Sequence, residues 1–166
     1  LHAEEKTRDP KTGLLMHAWD ESRKQLWADS ESGRSPHAWG RAMGWYAMAL
    51  CDVLELLPDG HPKRHKLEEL CRRLMLTIAS FRDSESGMWL QVLDQAGRPG
   101  NYPETSASAM FIYALQKSRR LGLSEAGTDD VLPAFTSLST RYLSKTDKGV
   151  SLGGICKVAG LGGTPY

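Results

Sequence analysis

Apolar and polar positions along this chain alternate in two registers, and the alternation predicts four helices. From Ser35 to Leu57 the pattern is apolar nearly all round, through Trp45, Tyr46, Ala47, Met48, Ala49, Leu50 and Cys51, and it stops before Pro58-Asp59-Gly60. Ser35 is a good cap and Pro36 a good first helical residue, so this helix is expected to open there. From Pro62 to Phe81 the apolar residues Leu67, Leu70, Leu74, Ile78 and Phe81 fall three and four apart among basic residues. That spacing is an amphipathic helix. Glu104 to Leu121 is apolar early, at Ala107, Ala109, Met110, Phe111, Ile112, Tyr113, Ala114 and Leu115. Thr128 to Leu143 is amphipathic again, carried by Val131, Phe135, Leu138 and Tyr142. A helix apolar all round is buried on all sides, and an amphipathic one covers it from outside.

A repeated turn punctuates these pairs. Asp9-Pro-Lys-Thr-Gly13-Leu-Leu-Met-His-Ala-Trp-Asp20 resembles Asp83-Ser-Glu-Ser-Gly87-Met-Trp-Leu-Gln-Val-Leu-Asp94, with a fainter copy at Thr146-Asp-Lys-Gly149-Val-Ser-Leu. Each copy is a polar turn in which glycine supplies a positive φ, followed by a short alternating stretch that suits an extended segment or small hairpin. Units of inner helix, outer helix and glycine turn define an all-α solenoid or toroid, in which no unit buries its face alone. Two complete units are present, and the chain opens and closes within the motif. The expectation is one domain, residues 1–166, forming a segment of a larger barrel.

Composition narrows the function classes. The 166 residues are 40% hydrophobic and 25% charged with a formal net charge of +1. That is ordinary for a globular domain and gives no global charge for nucleic acid or an anionic membrane. No apolar run approaches the roughly 20 residues of a spanning helix. Leu1 is followed at once by His2 and Glu4-Glu5, which does not have the character of a signal peptide. Cys51, Cys71 and Cys156 are odd in number and far apart in sequence. Two lie in apolar helical contexts, where a thiol acts as a small hydrophobe. A reducing, cytoplasmic setting is therefore expected.

The chemistry concentrates in Trp39-Gly40-Arg41-Ala42-Met43-Gly44-Trp45. Indoles offer flat faces on which a sugar ring stacks, and a guanidinium offers a planar fork that matches a carboxylate. Arg41 and Trp45, four apart, share one helix face. The same residues also suit a core helix whose glycines permit close packing, and both readings stand at this point. Upstream, alternation places His17 and Trp19 on one face. His17 is either a buried core histidine or a group that binds a sugar hydroxyl and assists proton transfer. Asp20 suits a turn or cap. Asn101-Tyr-Pro-Glu-Thr-Ser106 is either a capping segment or a polar rim on the same pocket. His37, His61 and His65 have no ligand-like arrangement. No metal site or cofactor is expected, and the chain has no phosphate loop, nucleophile elbow or Cys-His pair.

With those residues in place, the chain resembles the unsaturated rhamnogalacturonyl hydrolases of glycoside hydrolase family 105, relatives of the family 88 unsaturated glucuronyl hydrolases. The resemblance is carried by Thr12-Gly-Leu-Leu-Met-His-Ala-Trp-Asp-Glu-Ser22, Trp39-Gly-Arg-Ala-Met-Gly-Trp-Tyr-Ala-Met-Ala-Leu50 and Ser86-Gly-Met-Trp-Leu-Gln-Val-Leu-Asp94. Asn101-Tyr-Pro-Glu-Thr-Ser-Ala-Ser-Ala-Met-Phe111 and Val158-Ala-Gly-Leu-Gly-Gly163 add to it. It implies an (α/α)6 barrel, of which this chain would be a C-terminal-half segment.

It also implies a substrate: a pectin-derived oligosaccharide ending in a 4,5-unsaturated uronic acid. A carboxylic acid protonates C4 of the vinyl ether and then activates water toward C5, and the hemiketal so formed opens to release the neighbouring sugar. This differs from displacement at C1 by two carboxylates, although a raised carboxyl pKa would serve both. Carried onto this sequence, His17 resembles the active-site histidine, Trp39 and Trp45 the stacking walls, and Arg41 the polar clamp. The acid/base carboxylate matches nothing here and is expected upstream of Leu1. The alternatives are a catalytically silent carbohydrate-binding segment and another (α/α)6 enzyme, such as a polysaccharide lyase or sugar epimerase.

Overall fold

The computed structural model describes residues 1–123, 131–157 and 160. Among them the elements are α1 (His2–Thr7), α2 (Gly40–Leu56), α3 (Arg64–Ser80), α4 (Thr105–Arg120), α5 (Val131–Arg141), β1 (Leu143–Thr146) and β2 (Gly149–Leu152). The inner helices α2 and α4 pack on each other, α3 covers both, and α5 lies on α4. Met43, Ala47, Leu50 and Leu54 of α2 meet Phe111, Ala114 and Leu115 of α4 in one core with Leu70, Leu74 and Ile78 of α3. Trp89 sits within this core, its indole donating to the Ile78 carbonyl at 2.7 Å and its ring 5.4 Å from Phe111.

The turn repeat is real at the level of individual hydrogen bonds. In the first copy the Asp9 carboxylate accepts from the Thr12 amide and hydroxyl, and Gly13 N–H closes onto the Asp9 carbonyl. In the second, Asp83 accepts from the Ser86 amide and hydroxyl, and Gly87 N–H closes onto Asp83. Gly13 and Gly87 both take positive φ, +77° and +70°. A further copy escaped the sequence reading. Asp29-Ser-Glu-Ser-Gly33 matches Asp83-Ser-Glu-Ser-Gly87 letter for letter, and Asp29 accepts from the Ser32 amide and hydroxyl with Gly33 at φ +74°. The Thr146–Gly149 copy turns the small β1–β2 hairpin.

Four boundaries and faces differ from expectation. Helix α2 opens at Gly40, not at Ser35-Pro36. The Ser35 hydroxyl accepts from the Ala18 amide and Ser35 N–H donates to the Ala18 carbonyl, so Ser35 serves a neighbouring extended segment and caps no helix. Helix α5 ends at Arg141, and Leu143 begins β1; its expected start at Thr128 lies outside the described residues. Helix α1 was not expected. Finally, the inner helices are not covered all round: Trp45 is 59% exposed on α2 and Tyr113 41% exposed on α4. Among the described residues, no helix is long and apolar enough to cross a membrane.

Candidate functional site

The site is built where short extended segments lie side by side. His17 N–H donates to the His37 carbonyl at 3.1 Å, Leu93 N–H to Ala38 at 3.0 Å, Gly40 N–H to Gln91 at 2.8 Å, and Gln91 N–H to Tyr102 at 2.9 Å. Alternate side chains of an extended chain share a face. Ala38 therefore goes into the core, fully buried, while His37 and Trp39 turn to the other side. There, with His17, Gln91 and Asn101, they line a cavity of about 300 Å³ that Arg98 also borders. The His17 and Trp39 rings lie 4.8 Å apart at 59°. Burial lowers the His17 pKa from its ordinary 6.5, which keeps this imidazole neutral at pH 7.

His37, which has no ligand-like arrangement along the chain, is half-buried on the same wall. Its Nδ1 stands 2.7 Å from Asp94 Oδ2, and the other oxygen of that carboxylate accepts from the Ala38 amide at 2.9 Å. The alternation His37-Ala38-Trp39 held a clue to its placement. Its partner, however, lies far along the chain, at the end of the second turn repeat.

Arg41 stands behind Trp39, its guanidinium 5.7 Å from the indole. Its Nε donates to Ser106 Oγ at 2.9 Å, and its Nη2 reaches Glu104 Oε1 at 3.3 Å and the Cys156 carbonyl. Glu104 is fully buried at the N-cap of α4, where it accepts from the Ala107 amide at 2.6 Å and the Cys156 amide at 2.8 Å. Burial alone would raise its pKa. The hydrogen bonds from Cys156, Ala107, Ser106 and Arg41 outweigh that and hold the carboxyl below its ordinary value. With Nε and Nη2 engaged, Arg41 is not open to grip a carboxylate through both, and it does not border the cavity. Nη1 stands outside these contacts. Trp45, one turn further on, is not on the cavity wall either.

Other expected residues have structural tasks. Asn101 borders the cavity, but its amide accepts from Val92 N–H and donates to the Val92 and Gln95 carbonyls, holding the loop between them. Asp20 accepts from the Ser22, Lys24 and Gln25 amides, as a turn residue does. Trp19 does not share the cavity with His17; it packs its ring edge-on to His2 and donates to the Ser32 carbonyl. His61 accepts from Lys63 N–H at the approach to α3. Among the described residues no three His, Cys, Asp or Glu side chains are placed to hold a metal ion. Of the motif Val158–Gly163, only Gly160 lies within the described residues, and it borders the cavity.

Paired helices joined by glycine turns, with imidazole and indole lining a cavity at the turn end, define a class of α/α-hairpin proteins in which the turn end carries the candidate site. The family described as Glycosyl Hydrolase Family 88 matches residues 1–166, and the chain belongs to it. A protein of Agrobacterium fabrum is 48% identical over 157 residues, which cover 91% of this chain and 66% of that protein. An unsaturated rhamnogalacturonyl hydrolase of Bacillus subtilis is 34% identical over 118 residues, 71% of this chain and 31% of the relative. A solved glycoside hydrolase of family 105 from C. acetobutylicum superposes with a TM-score of 0.91 at 44% identity. That match covers 98% of this chain and 46% of the clostridial one, so the chain spans less than half of that structure. The fold is thus that of the family's (α/α)6 barrel enzymes.

Proposed function

We propose that this chain forms one wall of the substrate cleft of a hydrolase that acts on pectin (rhamnogalacturonan) oligosaccharides ending in a 4,5-unsaturated uronic acid. The observation that carries this reading is the His17–Trp39 pair on the wall of a cavity sized for a sugar ring. The indole supplies an apolar face for the ring, and the imidazole brings a polar ring edge to the same wall. The bordering residues among those described include no Asp or Glu. The carboxylic acid that protonates C4 and then directs water to C5 is therefore assigned to a residue outside this wall. Arg41 serves through its support of Trp39, and Trp45 extends the same helix face beyond the cavity.

The test is to add unsaturated rhamnogalacturonan disaccharide and follow the enoyl absorbance. Hydration abolishes that band. Saccharide that binds and keeps its band would instead identify a silent binding segment.

A further inference from the structure

We propose that Arg98 is the carboxylate-recognising residue of this cavity, the group that selects an acidic sugar over a neutral one. The inference rests on the saccharide reading of the cavity and assigns within it the role that Arg41 is not placed to take. Three observations carry it. Among the described residues that border the cavity there is one arginine, Arg98, and no Asp, Glu or Lys, so its charge has no compensating carboxylate on that wall. Its side chain makes no hydrogen bond or ion pair among the described residues. Arg41, by contrast, commits Nε and Nη2 to Ser106, Glu104 and the Cys156 carbonyl. Finally, the loop that carries Arg98 is held in place while the side chain itself is exposed.

Turn chemistry holds that loop. Asn101 N–H donates to the Arg98 carbonyl at 3.0 Å across Pro99-Gly100, and Arg98 N–H donates to the Gln95 carbonyl at 3.1 Å. Proline at the first central position and glycine at φ +87° at the second are what a type II turn requires. The Asn101 amide ties the same loop to Val92 and Gln95. A guanidinium anchored in this way, at the edge of a wall built on Trp39, meets a planar carboxylate with two parallel N–H donors. The indole holds the sugar ring, and the fork turns its acid group toward the loop. Nearby acids do not neutralise this charge. Asp94 is engaged by His37 and the Ala38 amide. Arg98 also borders a second cleft with Asp83, Glu85 and Arg141, where Asp83 accepts from Ser86 and neither acid forms an ion pair with Arg98.

The experiment is calorimetric titration with two probes, unsaturated rhamnogalacturonan disaccharide and the same disaccharide with its carboxyl reduced to a hydroxymethyl group. The parent chain should bind the acid at least about tenfold more tightly than the reduced form, the scale of a charge-assisted hydrogen bond. That difference should shrink as salt rises. Arg98→Gln should lose about the same factor on the acid, hold its affinity for the reduced form and keep the parent's melting temperature, since the side chain is exposed. Arg98→Lys, which keeps the charge and loses the fork, should fall between the two. Parent affinity for the acid in Arg98→Gln, or an equal loss on both probes, overturns the role of Arg98 and leaves the saccharide reading standing. A parent chain that binds both probes alike does the same. Binding of neither probe by the parent overturns both.

Discussion

Gly44 of α2 lies against Met110 of α4 so closely that an added Cβ would stand 2.9 Å from the Met110 Cβ and 2.8 Å from its sulfur. A Cβ next to the backbone cannot swing aside as a chain end can, so the inner helices owe their close approach to this glycine. On helix propensity alone Gly44→Ala should stabilise by up to about 1 kcal/mol. Overpacking at a fixed contact costs about 1–3 kcal/mol, and it should win here. Urea denaturation is expected to show net destabilisation; a stabilised variant would mean that α2 and α4 are not in this contact.

The turn glycines separate backbone strain from crowding. At Gly87 a Cβ would find nothing nearer than 3.7 Å, so Gly87→Ala should cost only the left-handed backbone, roughly 1–2 kcal/mol. At Gly13 the same φ is joined by a contact of 2.8 Å to Thr77 Oγ1 and one of 3.1 Å to the Arg8 guanidinium. Gly13→Ala should therefore cost clearly more. Equal losses in a thermal melt would show that the Thr77 contact carries no weight.

The Glu104–Arg41 pair makes a prediction about acid. Removing one partner of a buried, hydrogen-bonded pair costs about 3–5 kcal/mol, and Glu104→Gln also turns an amide donor toward N–H groups that need an acceptor. The Glu104 pKa is held below its ordinary 4.5 in the folded state. Its contribution is therefore present in full above about that pH and is lost as pH falls through the lower, folded value. The variant should be weaker at pH 7 and should show a shallower decline between pH 5 and 3 than the parent. A parallel decline would place the acid sensitivity elsewhere.

Cys51 and Cys71 face each other across α2 and α3 with their sulfurs 3.9 Å apart, both fully buried and both free thiols. The neighbouring thiol and burial push the Cys71 pKa well above the ordinary thiol range. Neither should react with a thiol reagent until the chain unfolds, because the thiolate is the reactive form. Labelling of Cys71 in the native protein at a rate faster than global unfolding would contradict the packing of α3 on α2.

Much of this architecture was legible because it is local. Hydrophobic periodicity located α2, α3, α4 and α5, and the glycine turns announced themselves through Asp9, Gly13, Asp83 and Gly87. The start of α2 was not legible, because Ser35 looks like a cap in sequence and is instead committed to Ala18 by tertiary pairing. The site was half legible. Trp39 and His17 carry recognisable motifs, and they do meet. What sequence could not supply was the pairing of His37 with Asp94 or the capture of Arg41 by Glu104, since both join segments separated by whole helices. Such contacts depend on how α2 and α4 pack, and no local pattern encodes that. Trp45 shows the converse: helix spacing correctly put it on the Arg41 face, but that face passes beyond the cavity wall.

The central claim is that the cavity beside Trp39 binds a saccharide ring, and tryptophan fluorescence during titration with unsaturated rhamnogalacturonan disaccharide tests it most directly. The account predicts saturable quenching in the parent chain, loss of at least about tenfold in affinity for Trp39→Ala, and a smaller loss for Trp45→Ala. Wild-type affinity in Trp39→Ala, or no saturable response in the parent, would contradict it.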